Sequence, residues 1–348
     1  MNTLSQSKQT SMLVRIITGI IFVLVVFPCL FLGGWFHFIL VFLLAGFATY
    51  EILQARGKDH FPLGIKSLSY GLIVLFLISF FTKGWITRNN PFQLNVTPDF
   101  YSPLRFLYPI LLVGTYFFIV ALVGIISEKV QLQDITYLTT MMVFLAISFV
   151  GMLYLRYFPN GSGTVHANTY FKDVYGSKQW WVSSGLIITL CLGTWASDAG
   201  AYFVGILFGK HPMNKRVSPH KTWEGFIGGC IFSYIIFFGA SAIFEYGLKS
   251  PLVPGILQFQ TSEVLKEMNV LGGASWVFLA IFGLLLPLVG NLGGFFFSLI
   301  KRHYEIKDYG KILPGHGGII DRFDSVLANC AMSSVLLFIM SYGFNVVL

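Results

Sequence analysis

Residues 298–324 read SLIKRHYEIKDYGKILPGHGGIIDRFD. This polar stretch lies between two apolar runs, at about 275 to 300 and 324 to 347, each long enough to cross roughly 30 Å of hydrocarbon as a helix. Charged residues make up 11% of the chain, yet Lys301, Arg302, Glu305, Lys307, Asp308, Lys311, Asp321, Arg322 and Asp324 all fall here. The lysines and arginines suit phosphate groups as charge-assisted donors, and Asp321 and Asp324 suit divalent cations bridging the same phosphates. Gly315, Gly317 and Gly318 can take positive φ and turn N–H groups to an anion, with His316 among them as a further donor. If the apolar run that follows is helical, Asp321 and Asp324 share a face at its N-terminal end. A loop that only anchors the protein to anionic headgroups explains the basic residues. It does not call for a glycine-flanked histidine or for two aspartates three apart.

Outward from this stretch the chain is oily. Of its 348 residues, 55% are hydrophobic and 17% aromatic, far from the roughly 25% charged content of soluble domains. The expected fold is an all-α polytopic integral membrane protein. Apolar runs at 12 to 32, 35 to 53, 66 to 82, 104 to 127, 135 to 155, 181 to 208, 224 to 246, 275 to 300 and 324 to 347 give about nine transmembrane helices. The first run lacks a small-residue cleavage pattern and reads as a retained span. Cys29, Cys191, Cys230 and Cys330 all sit in apolar segments without CxxC spacing, as small core residues.

With the N-terminus placed in the cytoplasm, 15 of the 23 lysines and arginines fall in inside segments and 8 outside, the bias that positive-inside topology favours. That orientation puts the 298–324 loop in the cytoplasm, with nucleotides. The net charge of +8 is spread over short loops between apolar runs, which points to lipid headgroups or a nucleotide and away from nucleic acid. Segments 83 to 103 and 157 to 180 read as exposed outer connections. They carry the short acceptor patterns Asn95-Val-Thr97 and Asn160-Gly-Ser162, common by chance. A short amphipathic helix is expected near Glu263 to Met268. Residues 1–180 read as scaffold helices almost free of buried charge, or as a dimerisation surface. In this region Glu51 is expected to snorkel near Arg56. Residues 181–348 form the catalytic region.

A second cluster begins at Thr194, TWASDAGAYFVGILFGKHPMNKRVSPHKTWEGFIGG. Asp198 lies inside an apolar span, where an ionised aspartate costs about 2.5 to 3.5 kcal/mol and so tends to face a polar cavity. A structural aspartate bonded through Ser197 or Tyr202 is the plainer alternative. Past the span, Lys210, Lys215, Arg216 and Lys221, with Ser218, Thr222 and Glu224, again suit phosphates and a metal. The sixth span runs inward past Asp198, the eighth inward to Lys301, and the ninth leaves from Asp321, so the three ends can meet near the inner leaflet.

The run Ser-x-Ile-Lys-Arg, four residues, Lys-Asp, then Pro-x-His-Gly-Gly-Ile-x-Asp-Arg-Phe-Asp resembles the signature of the phosphatidate cytidylyltransferases, or CDP-diacylglycerol synthases. Ser218-Pro219, followed by Lys221-Thr222-Trp223-Glu224-Gly225, resembles a second motif of that family, Ser-Pro-Lys-Lys-Thr-x-Glu-Gly, with His220 at the first lysine position. The likeness covers roughly 190 to 330. It implies that CTP and phosphatidate give CDP-diacylglycerol and pyrophosphate, with Mg²⁺ as cofactor and room for a second cation. Together with the residue reading it assigns catalytic roles to Asp198, Lys307, Asp308, His316, Asp321, Arg322 and Asp324, with Asp198, Asp321 and Asp324 as metal ligands. Substrate binding falls to Ser218, Lys221, Thr222, Glu224, Ser298, Lys301, Arg302, Gly315, Gly317 and Gly318. The implied partners are CTP, phosphatidate of the inner leaflet, membrane lipid and a second copy of the chain. The implied location is a bacterial plasma membrane, with the site facing the cytoplasm.

The chain departs from the family at Gly294, where an aspartate expected to bind metal usually stands, and at Phe297, where many bacterial members carry glutamate. Three accounts are open: Asn291 supplies an oxygen one turn earlier, the three aspartates suffice, or activity is lost. Rival functions are another CTP-dependent lipid enzyme, such as a polyprenol kinase or an archaeol cytidylyltransferase, and a transporter using Asp198 as an ion site. A transporter leaves the two phosphate-suited loops unexplained.

Overall fold

A computed structural model describes residues 6–79, 103–161, 184–247, 252, 270–315 and 317–346. Where no water can satisfy backbone groups, the helix closes its own hydrogen bonds, and each apolar run becomes one. Among the described residues these are α1 (Gln6–Leu32), α2 (Gly34–Gln54), α3 (Leu63–Ser79), α4 (Pro103–Ile126), α5 (Leu132–Gly161), α6 (Ser184–Phe208), α7 (Trp223–Ala242), α8 (Val270–His303) and α9 (Ile320–Val346). Six of them, α2 and α4 to α8, hold stretches long and apolar enough to cross a membrane. In α1 and α3 the described apolar stretches are shorter, Ile17–Leu32 and Leu63–Ser79. Helix α5 runs on to Gly161, past the expected end at 155, and α8 starts at Val270. Most of segments 83 to 103 and 157 to 180, with Asn95, and the expected helix around Glu263 to Met268 lie outside the described residues.

Among the described residues, a hairpin between α6 and α7 departs from the helical fold. Strands β1 (Pro212–Asn214) and β2 (Ser218–Thr222) pair antiparallel, Pro212 opposite Thr222 and Asn214 opposite Ser218. The second motif therefore stands on a strand. Asn214 Oδ1 accepts from the N–H groups of Arg216 and Val217 (both 3.1 Å) and closes the turn, the local side-chain bonding at which asparagine excels.

Helices α6 and α7 form the most extensive helix pair. A Cβ added at Gly225 would lie 2.7 Å from the Ala201 carbonyl oxygen, and one at Gly229 would lie 2.7 Å from that of Ser197. Small residues here let the two backbones touch, as in membrane helix pairs generally. Around α5 are gathered α2, α3, α4 and α9. One buried apolar cluster runs from Leu30 and Leu44 through Phe149 to Phe297, Ile320 and Leu327, so the first five helices and the last four share a core.

The first five helices hold more buried charge than expected. Glu51, Asp134 and Arg156 are all essentially without solvent exposure. Arg156 donates to the carbonyls of Leu30 (2.8 Å) and Phe31 (2.9 Å), satisfying the C-terminal end of α1. Arg56 does not pair with Glu51. It pairs with Asp134, which also meets His60 at 3.1 Å.

Candidate active site

Two side-chain groups meet where α6, the hairpin, α8 and α9 converge. The first surrounds Asp198 and Asp324. Asp198 is exposed to solvent on α6, yet it lies within electrostatic reach of Asp324 and Lys221 and takes a hydrogen bond from Ser325. Asp324 Oδ1 accepts from the Ser325 N–H at 2.7 Å and the Ser325 hydroxyl at 3.3 Å. Helix α8 comes close at this level because residue 293 is glycine. A Cβ there would lie 2.5 Å from Ala328 Cβ and 3.0 Å from the Asp324 carbonyl oxygen.

Lys221 enters the same space from β2. Its ammonium donates to Asn291 Oδ1 at 3.0 Å and lies 4.7 Å from the centre of the Phe295 ring. Burial holds its pKa below the ordinary lysine range, opposed by the pull of Asp324 and Asp198. At Gly294 an added Cβ would stand 2.8 Å from Lys221 Nζ and 3.6 Å from Asp324 Oδ2. Lys221 Nζ therefore lies beside the position where the resemblance leads one to expect an aspartate. The Asn291 oxygen, one of the three accounts of Gly294, is bonded to that lysine. Phe297 is core: it packs edge-on to Phe144 and Tyr309, centroids 5.5 and 5.9 Å away.

The second group surrounds Asp321. Its Oδ1 accepts from Lys301 Nζ at 2.9 Å, and its Oδ2 from the N–H groups of Tyr309 (2.8 Å) and Gly318 (3.0 Å). Both oxygens are thus engaged by the protein. Among the described residues no three His, Cys, Asp or Glu side chains gather as a metal-binding group. The pair Asp198 and Asp324 does fit a magnesium ion. Mg²⁺ is commonly held by one or two carboxylates and completes its shell with water and substrate phosphate oxygens, and Asp324 Oδ2 lies 3.6 Å from where a Cβ at Gly294 would stand.

A residue missed in the sequence holds the second group in place. Glu51, near the C-terminal end of α2, accepts from the N–H of Ile319 at 2.8 Å and of Ile320 at 2.9 Å, capping the start of α9 from 268 positions away. Added Cβ atoms at Gly310 or Gly318 would each come within 2.5 Å of its carboxylate. The only signal in the sequence was an acid at the end of an apolar run. Tyr309, also missed, donates its hydroxyl to the Phe297 carbonyl at 3.0 Å, and burial raises its phenol far above the usual range.

The remaining expected residues divide. Thr222 caps α7, its hydroxyl accepting from the Gly225 N–H at 3.1 Å. Glu224 accepts from the Lys210 and His211 N–H groups and meets the His211 ring, fastening the hairpin to α7. Arg302 donates to the Val217 carbonyl at 3.3 Å and joins α8 to the hairpin. Lys307, Asp308 and Arg322 are exposed around the loop, and Ser218 and Ser298 are half-buried. Gly315 and Gly317 have φ of 73° and 88°, and Leu313 and Gly317 exchange backbone bonds of 2.9 and 3.1 Å, closing a tight turn. His316 lies outside the described residues.

Comparison with known proteins follows the same line. A model of the cytidylyltransferase family matches residues 13–340. A phosphatidate cytidylyltransferase of Bacillus subtilis is 29% identical over 315 residues, 90% of this chain and 93% of that protein. One of Staphylococcus saprophyticus is 28% identical over 327 residues, 94% and 99% of the two chains. One of Mycobacterium bovis is 36% identical over 154 residues, 44% and 42%.

Proposed function

The chain belongs to the cytidylyltransferase family, and from that premise we propose that it is a phosphatidate cytidylyltransferase of phospholipid biosynthesis. A phosphate oxygen of phosphatidate forms a bond to the α-phosphorus of CTP as the bond to the β-phosphate oxygen breaks, giving CDP-diacylglycerol and pyrophosphate. The observation that carries this reading is the Asp198, Asp324 and Lys221 group beside Lys301 at the convergence of four elements.

Asp198 and Asp324 are the residues that would hold Mg²⁺. Bound there, the ion would neutralise charge on the CTP phosphates and on the leaving pyrophosphate. Lys221 approaches the reacting phosphates from the hairpin, and Lys301 is fixed by Asp321 to face the same space. Lys307, Arg302 and Arg322 surround the entry as phosphate-attracting charge. A monoester phosphate is already ionised at neutral pH, so no carboxylate has to act as base. Nine spans, a cytoplasmic N-terminus and a bacterial plasma membrane complete the reading, and phosphatidate comes sideways from the inner leaflet.

The test is formation of CDP-diacylglycerol from labelled CTP and phosphatidate by the purified protein in micelles, with and without Mg²⁺. Mg²⁺-dependent product is expected. Folded protein that forms none, or that instead passes the γ-phosphate of CTP to a polyprenol, overturns the reading.

A further inference from the structure

The carboxylate pair carries a positive charge of its own. Two ammonium groups act on Asp324: Lys301, which is paired with Asp321, and Lys221, which also lies within electrostatic reach of Asp198. Lys221 does not make an ion pair with Asp198 or Asp324: its hydrogen bond goes to the neutral amide of Asn291, and its flank rests on Phe295. The ammonium is therefore held by uncharged groups in a fixed place, near two carboxylates but touching neither. Its seat lies over Gly294, where an added Cβ would stand 2.8 Å from Nζ and displace the ammonium from this position.

We propose that Lys221 is the resident cation of the Asp198–Asp324 pair: seated over Gly294, it supplies one fixed positive charge and limits the pair to a single divalent ion. The inference rests on the cytidylyltransferase reading for the use of that ion, but its physical content is separate from turnover. A charge held near two carboxylates lowers their affinity for Mg²⁺ or Mn²⁺ by direct repulsion, and it fills the volume a second ion would need. The same charge is then ready, unpaired with carboxylate, for a substrate phosphate. With glycine at 294 in place of an acid, the bond from Lys221 to Asn291 leaves the ammonium without a carboxylate partner at this level.

The experiment is titration of the purified full-length protein in detergent with Mn²⁺, without CTP or lipid, reading free Mn²⁺ by electron paramagnetic resonance. The natural chain should bind one ion, and Asp324→Asn should lose it. Lys221→Met should bind the ion about tenfold more tightly, the effect expected of removing one nearby charge in a partly buried site. Lys221→Arg, which keeps the charge, should stay within a small factor of the natural chain. Gly294→Asp alone should still bind one ion, whereas Gly294→Asp with Lys221→Met should bind two. Two ions on the natural chain, unchanged affinity in Lys221→Met with a preserved melting temperature, or one ion on the double variant would each overturn the proposal. Absence of CDP-diacylglycerol formation with this binding pattern intact would instead overturn the assigned reaction.

Discussion

Asp321 and Asp324 stand three residues apart on one helix and are occupied in opposite ways. Asp321 is bonded by Lys301 and two backbone N–H groups, whereas among the described residues Asp324 takes bonds from its neighbour Ser325, both on Oδ1. Replacing them should separate binding from architecture. Asp324→Asn is expected to reduce turnover at least about a hundredfold, the scale of losing a preorganised charge, with its melting temperature retained. Asp321→Asn weakens charge-assisted bonds worth about 1.5 to 3 kcal/mol each, so it should lower the melting temperature and, by freeing Lys301, reduce turnover as well. Thermal denaturation in detergent beside the cytidylyl-transfer assay reads both. Equal melting temperatures for the two variants would sink the distinction. The spacing of these aspartates was visible in the sequence, but their division of labour was not, because it depends on Tyr309 and Gly318, which the loop folds back to bring near.

At the scale of the element, the decisive contact is that of α2 with the start of α9. The first N–H groups of a helix have no partner within it, and here Glu51 supplies two acceptors from another helix. Glu51→Ala would leave two buried donors unsatisfied, at about 1 to 3 kcal/mol each. It should lower the melting temperature and cut kcat through displaced Asp321 and Asp324. Glu51→Gln, with one carbonyl oxygen left to accept, should fall between. A Glu51→Ala protein with unchanged melting temperature and kcat would show the cap to be dispensable. The helices themselves were legible, since hydropathy over some twenty residues is a local property. The hairpin was not, because its Ser-Pro-His-Lys-Thr stretch has no alternating apolar pattern, and its fastening to Glu224 and Arg302 is made across the fold.

For the whole molecule, the topology reading assigns Lys307 and Lys215 to one side of the membrane. A cysteine introduced as Lys307→Cys, at an exposed position, should react with an impermeant maleimide in inside-out vesicles and not in intact cells, as should Lys215→Cys. Labelling of either from outside would reverse the orientation. Sequence alone divided the chain at about 180 into scaffold and catalytic halves. The structure joins them through one apolar core and through Glu51, contacts between residues too distant in the chain for any local pattern to announce.

The Glu51 cap also bears on how the protein is made. Synthesis delivers α2 long before α9, so a carboxylate meant for the interior waits without its partners until the last helix emerges. Completion of the site is thus a late event in biogenesis, since a ribosome stalled before residue 320 would leave Glu51 without the two N–H groups it accepts from.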